Sequence, residues 1–262
     1  MTVRGEGTGP APVLEVEGLT RDFDALRAVD DVSFAVMPSE LLGLIGPNGA
    51  GKTTLFNMLA GALPPTAGRI RLQGRDITGL APNRIATLGI ARTYQNLRVF
   101  PDMTVFDNVS VGAIGRFGVS LWGTLVPGLE RRRSDRIADA TIAALERLGL
   151  IDHADAPAGN LSYGQKKLLE VARALTLAPT LLLLDEPAAG LNPNETEALS
   201  LLVRTLADEG LTILLVEHDM PMVMRVCDRI VVLDSGRKIA DGAPRAVRSD
   251  PAVRAAYLGD PE

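Results

Sequence analysis

Residues 46–54, GPNGAGKTT, place glycines at 46, 49 and 51 ahead of a lysine and two threonines. This is the G-x-x-x-x-G-K-[ST] pattern, and each residue type has a physical task in it. The glycines let main-chain N–H groups turn inward toward phosphate oxygens, where the helix opening behind them adds the positive end of its dipole. Gly46, Pro47, Asn48, Gly49, Ala50, Gly51, Lys52, Thr53 and Thr54 would then surround the phosphates of a nucleoside triphosphate. Lys52 brings charge to the β and γ groups, and the Thr53 hydroxyl is a ligand for Mg²⁺. A plain glycine-rich turn before a helix would leave the Lys-Thr pair and the apolar run LLGLI before it as coincidences.

A second group of chemistry-bearing residues ends the run LLLL at 181–184, where Asp185 and Glu186 emerge. The carboxyl edge of a buried strand is where open α/β sheets bind ligands. Asp185 is suited to hold Mg²⁺ through its water shell, and Glu186 to polarise an attacking water as general base. Two solvated carboxylates at a strand end would be the bland alternative, and the upstream phosphate loop decides against it. In LSYGQ, 161–165, Ser162 and Gln165 have the spacing of a capping box. Such a capped helix start, with Gly164 allowing close approach, is also an anion site. Asn192, Pro193 and Glu195 mark another helix start.

The elements that must position these residues fall into two kinds. Leu14 and Val16, then Val32, Phe34 and Val36, then Ile70 and Leu72 alternate with other residues, as antiparallel strands with one buried face do. LLGLIG (41–46), TLLLLDE (180–186) and TILLVEHD (212–219) are continuously apolar before their polar ends, the pattern of parallel strands covered on both faces. Between about 96 and 161 strand signals vanish and helix-like stretches such as Ser134–Leu148 take over. RIVVLDSGRKIADG predicts a hairpin turning at Ser235 and Gly236, followed by short helices. No internal repeat is present.

Composition narrows the function classes. A net charge of −5 across 262 residues offers no basic footprint for nucleic acid. One cysteine, Cys227, and two histidines cannot build a disulfide or a Cys/His metal site, which suits a reducing cytoplasm. The Gly- and Pro-rich residues 1–12 read as a flexible leader rather than a secretion signal. No apolar run reaches the roughly 18 residues of a membrane span, so any membrane role is expected to be peripheral.

Phosphate loop, LSYGQ and LLLLDEP in this order resemble the nucleotide-binding domains of ABC transporters. The resemblance tightens to the ATP-binding subunits of branched-chain amino-acid importers of the LivG type. It runs through IARTYQNLRVFPDMTVFDNV, LSYGQKKLLEVARAL, DEPAAGLNPNETEAL, VEHDMPMVM, DRIVVLDSGRKIADGAP and DPAVRAAYLG, from about Leu14 to Gly259. The ABC family commonly has glycine at the position of Tyr163, and the tyrosine is a feature of this subgroup. The resemblance implies an α/β fold: a P-loop NTPase core with a mixed central sheet, an N-terminal antiparallel β subdomain and a helical signature subdomain. Residues 13–95 and 162–240 would form the core, 96–161 the helical lobe and 241–262 the C-terminal helices of one nucleotide-binding domain.

The resemblance also implies roles that no spacing dictates. His218 would contact the γ-phosphate and orient the catalytic water, Gln95 would touch Mg²⁺ and link core to helical lobe, and Phe23 would stack on adenine. Ser162, Tyr163, Gly164 and Gln165 would bind the γ-phosphate of ATP held by an opposite subunit, and 188–195 would cross the dimer interface. Partners would be two membrane permease subunits, a solute-binding protein and a second ATPase subunit, identical or related, with this chain on the inner face of the membrane and never touching the solute. Amides, urea or other amino acids stay open as cargo. His153, in a polar loop, is expected to be structural, and the apolar loop residues Leu97, Val99, Phe100 and Met103 either pack into the helical lobe or line a groove for a helix of the membrane subunit.

Overall fold

The computed structural model describes residues 10–93, 97–118 and 127–258. Strands β1 (Leu14–Phe23) and β2 (Leu26–Val36) pair antiparallel, Leu14 opposite Val36, and bury Leu14, Val16, Val32, Phe34 and Val36 on one face. β3 (Leu41–Ile45) is buried at every position and leads through the glycine-rich loop to α1 (Lys52–Leu59). β4 (Ala67–Leu72) joins the other side of β1, with β5 (Arg75–Asp76) at its edge, which completes an antiparallel sheet in the order β2-β1-β4-β5. α2 (Pro82–Thr87) and β6 (Ile90–Arg92) return the chain to a second sheet.

Three helices follow: α3 (Val105–Phe117), α4 (Pro127–Arg147) and α5 (Tyr163–Leu175), with α3 packed against both of the others. Thr104 starts α3 by accepting the Asp107 N–H at 3.0 Å. The chain then alternates through β7 (Leu181–Asp185), α6 (Pro193–Asp208), β8 (Thr212–Val216), α7 (Met220–Val226) and β9 (Arg229–Asp234). β10 (Arg237–Gly242), α8 (Pro244–Ser249) and α9 (Pro251–Leu258) close it.

The second sheet runs β10-β9-β3-β8-β7-β6, parallel throughout except at β10. Its central strands explain their unbroken apolar runs. Leu42, Leu44, Leu181, Leu183 and Leu214 face a core shared with the antiparallel sheet and Phe56 of α1. Their neighbours Leu41, Ile45, Leu182, Leu184 and Leu215 face the helices on the other side. At about 1.5–3 kcal/mol per buried leucine, a polar residue on either face would be costly.

The expected fold class is therefore present, a mixed sheet with a second antiparallel sheet and helices. Ser235 and Gly236, at φ 49° and 80°, form the two-residue hairpin turn. The helix expected over Ser134–Leu148 is longer, and among the described residues it spans Pro127–Arg147. β6 escapes a pattern reading because three residues carry no period. Among the described residues, no helix is long and apolar enough to cross a membrane.

Candidate functional site

The glycine-rich loop is held where only glycine fits. Gly51 caps α1 at φ 94°, and a Cβ there would collide with the carbonyl of Ala28; at Gly46 it would collide with that of Leu233. Lys52 Nζ folds back and donates to the carbonyls of Gly46 at 2.7 Å and Pro47 at 2.9 Å. Burial pulls the Lys52 ammonium below the ordinary lysine value, and the Glu186 carboxylate opposes that shift.

Around this loop lies an open cavity of about 570 Å³. Phe23, Asn48, Gly49, Ala50, Gly51, Lys52, Thr53, Thr54 and Glu186 all line it. Separations of up to 163 residues along the chain between these residues are closed here by two sheets: β3 and β7 of the second sheet deliver the loop and the carboxylate, and the end of β1 in the antiparallel sheet the ring. The Arg21 guanidinium sits 4.6 Å from the centroid of the Phe23 ring, which is 40 % exposed at the cavity wall.

Asp185 is the last residue of β7 and is buried. Its Oδ2 accepts from Arg92 Nη2 at 2.8 Å, and Arg92 Nη1 donates to Asn57 Oδ1 of α1 at 2.7 Å. Glu186 follows in the left-handed region at φ 46°, a conformation that costs a non-glycine residue about 1–3 kcal/mol. Neighbours hold it there. Its N–H donates to Val216 O at 2.9 Å, and Lys167 Nζ donates to its carbonyl at 3.3 Å.

His218 stands beyond β8 with Nδ1 4.0 Å from Glu186 Oε2 and 3.8 Å from Glu217 Oε2. Glu217 is itself buried and accepts from the N–H groups of Ala188 at 2.7 Å and His218 at 3.1 Å. Burial pushes its carboxyl up, while those donors and the His218 ring act in the opposite direction. Gln95 lies outside the described residues.

Ser162 caps α5 in the expected reciprocal manner: Ser162 Oγ accepts from Gln165 N at 3.2 Å, and Gln165 Oε1 accepts from Ser162 N at 2.9 Å. That orientation turns Gln165 Nε2 toward His153 Nε2, 2.9 Å away, so the ring nitrogen accepts. Ser162, Gly164 and Gln165 line a separate cavity of about 280 Å³ together with Glu195. Tyr163 is 47 % exposed, with Lys167 Nζ 5.8 Å from its ring centroid. One chain therefore does not bring 162–165 to the cavity of its own loop. Arg92, His153, Lys167 and Glu217 had no local pattern to reveal them, because each acts through a partner distant in sequence.

Residues 29–189 match the family model described as ABC transporter, more than half of the chain. The chain belongs to the ABC transporter family. A second family model, described as branched-chain amino acid ATP-binding cassette transporter, matches residues 237–262. This ABC chain is 44 % identical over 252 residues to the high-affinity branched-chain amino acid transport ATP-binding protein LivG of Escherichia coli, covering 95 % of this chain and 98 % of that one. It is 45 % identical over 251 residues to the corresponding protein BraF of Pseudomonas aeruginosa, again across 95 % and 98 %. Among solved structures, a nucleotide-free ATP-binding cassette from an ABC transporter superposes with a TM-score of 0.83 at 33 % identity, across 95 % of this chain and 100 % of that one. The ADP conformation of an ATP-binding cassette of an ABC transporter gives the same values. As an ABC ATPase subunit, this chain binds nucleotide and hydrolyses ATP as part of a transporter complex with membrane components.

Proposed function

We propose that this ABC subunit powers import of branched-chain amino acids, and that the cavity shared by the glycine-rich loop, Phe23 and Glu186 is where it binds and cleaves ATP. The observation that carries the site reading is this convergence: ring, phosphate loop and carboxylate line one 570 Å³ space. Phe23 offers a ring face for adenine. The N–H groups of 46–54 hold the phosphates, and Lys52 exchanges its loop carbonyls for β- and γ-phosphate oxygens. Glu186 takes the proton of a water poised at the γ-phosphate, and His218, 4.0 Å from Glu186, orients that water.

Thr53, Asp185 and Gln95 are the residues that would hold Mg²⁺. The hydroxyl of Thr53 and carboxylate of Asp185 are hard oxygen donors of the type the ion prefers. When bound, the ion supplies neutralisation of charge on the β- and γ-phosphates.

Two copies, or this chain and a related ATPase subunit, would complete the site, with Ser162, Tyr163, Gly164 and Gln165 of one facing the loop of the other. The separation of the two cavities within one chain supports that arrangement. Residues 13–95 with 162–240 then act as core, 96–161 as helical lobe and 241–262 as C-terminal helices. Docking to two permease subunits at the cytoplasmic face would use the groove of about 390 Å³ between core and helical lobe, where Phe100, Val111 and Gly115 are exposed to an incoming helix. A solute-binding protein delivers the cargo, which never touches this chain.

The test is reconstitution with cognate permeases and binding protein. Leucine, isoleucine or valine should stimulate ATP turnover. Stimulation by another small solute, with all three silent, would overturn the substrate while leaving the ATPase intact. Lys52→Ala should weaken ATP binding in a titration, and unchanged affinity would overturn the cavity assignment.

A further inference from the structure

We infer that Glu217 is a positioning residue for hydrolysis, a buried carboxylate that ties the turn carrying His218 to the chain leaving Glu186. It lies directly after β8, with its side chain withdrawn from solvent and no place in the chemistry above. Its two oxygens divide between two loops. Oε1 accepts from Ala188 N at 2.7 Å, two residues beyond Glu186. Oε2 accepts from His218 N at 3.1 Å and sits 3.5 Å from Asp219 N. The same Oε2 lies 3.8 Å from His218 Nδ1, so the Glu217 and Glu186 carboxylates both approach this one ring nitrogen.

A buried carboxylate is expensive to desolvate and persists where several N–H donors compensate it. Here the donors are main-chain groups of the two segments whose relative position sets the Glu186 to His218 distance. β7 and β8 are already paired, Asp185 opposite Val216, but pairing stops there. Beyond it, Glu186 N to Val216 O is one link and the Glu217 carboxylate supplies the next. Glu186 is in the left-handed region, so its direction depends on such outside support. Because Ala188 begins the stretch 188–195, the same carboxylate also sets the angle at which that stretch departs. The inference rests on the site reading given above, in which Glu186 and His218 act on the γ-phosphate.

Glu217→Gln is nearly isosteric but has one acceptor oxygen, so it can serve Ala188 or His218 and not both. Glu217→Asp keeps both oxygens and the charge, one methylene too short to reach both loops. Each variant is expected to lower kcat by about 10²-fold, the usual consequence of misplacing a catalytic group by about 1 Å, with KM and ATP affinity changed less than about threefold. Thermal unfolding checks that each is folded. In the unmodified protein the amides of Ala188 and His218 should exchange with solvent more slowly than those of the neighbouring turn residues.

Folded Gln and Asp variants with wild-type kcat, or variants that raise KM alone, would overturn the inference. Rapid exchange of both amides would overturn it even if neither variant folds. Glu186→Gln and His218→Ala run alongside separate the two readings. If both are inactive while Glu217→Gln is normal, only the positioning role falls; if both are active, the site reading itself falls.

Discussion

Arg92 and Asp185 form a buried ion pair, Nη2 to Oδ2 2.8 Å, between the edge strand β6 and the neighbouring strand β7. Their side chains are only 10 % and 5 % exposed, and the second terminal nitrogen of Arg92 reaches Asn57 of α1. The pair thus joins the edge strand, the strand carrying Asp185 and Glu186, and the helix behind the phosphate loop.

Arg92→Leu leaves Asp185 as a buried charge without its cation and should destabilise the fold by about 3–5 kcal/mol. Arg92→Lys should not rescue it fully, since one ammonium cannot match the fork between Asp185 and Asn57. Urea unfolding of both variants checks this, and an unchanged midpoint for Arg92→Leu would contradict it.

Phe100 and Val99 should behave differently although they are adjacent. Val99 packs against the buried core, whereas Phe100 is 48 % exposed at the groove lined by α2, α3 and α5. A charge at Val99 should lower the unfolding midpoint. Phe100→Asp should leave the fold and basal ATP turnover unchanged and abolish stimulation in the reconstituted complex. Normal stimulation of Phe100→Asp would argue against docking there.

Cys227 is buried beside Gly43 and its thiol is pushed up to about 12, mainly by burial. Very little thiolate forms at pH 8, so iodoacetamide should label the native protein far more slowly than the unfolded one. The unfolded thiol ionises near its ordinary value of 9.0 while the folded one stays protonated. Stability should therefore fall as pH rises above about 9, and Cys227→Ala should flatten that fall. Equal labelling of native and unfolded protein would refute the burial.

Ser162→Arg should leave ATP binding by its own loop intact, because 162–165 and the loop line separate cavities. Hydrolysis should nevertheless be lost, as the bulky cation would fill the partner's phosphate site. Loss of ATP binding in the isolated variant, or full turnover, would contradict the two-chain arrangement.

The parts of this protein legible in sequence are those with short-range physics. The loop at 46–54, the caps at Ser162 and Asn192 and the Ser235-Gly236 turn depend on residues within a few positions, and the structure forms each cap and turn. The buried strands were legible because coverage on both faces leaves an unbroken apolar run. What stayed hidden was pairing at long range. Arg92 meets Asp185 across 93 positions, Glu217 meets Ala188 across 29, and Lys167 meets the Glu186 carbonyl across 19. His153 reads in sequence as an ordinary polar loop residue; in the fold the capping box of Ser162 and Gln165 turns an amide toward it.

Glu186 shares a cavity with the phosphate loop, and its proposed role there is to activate water as a base. The most direct measurement compares ATP binding and single-turnover hydrolysis in Glu186→Gln and wild type. ATP affinity should be retained, hydrolysis should fall by about 10²- to 10⁴-fold, and an ATP-bound dimer should accumulate on size-exclusion chromatography. Near-normal hydrolysis by Glu186→Gln would contradict the account.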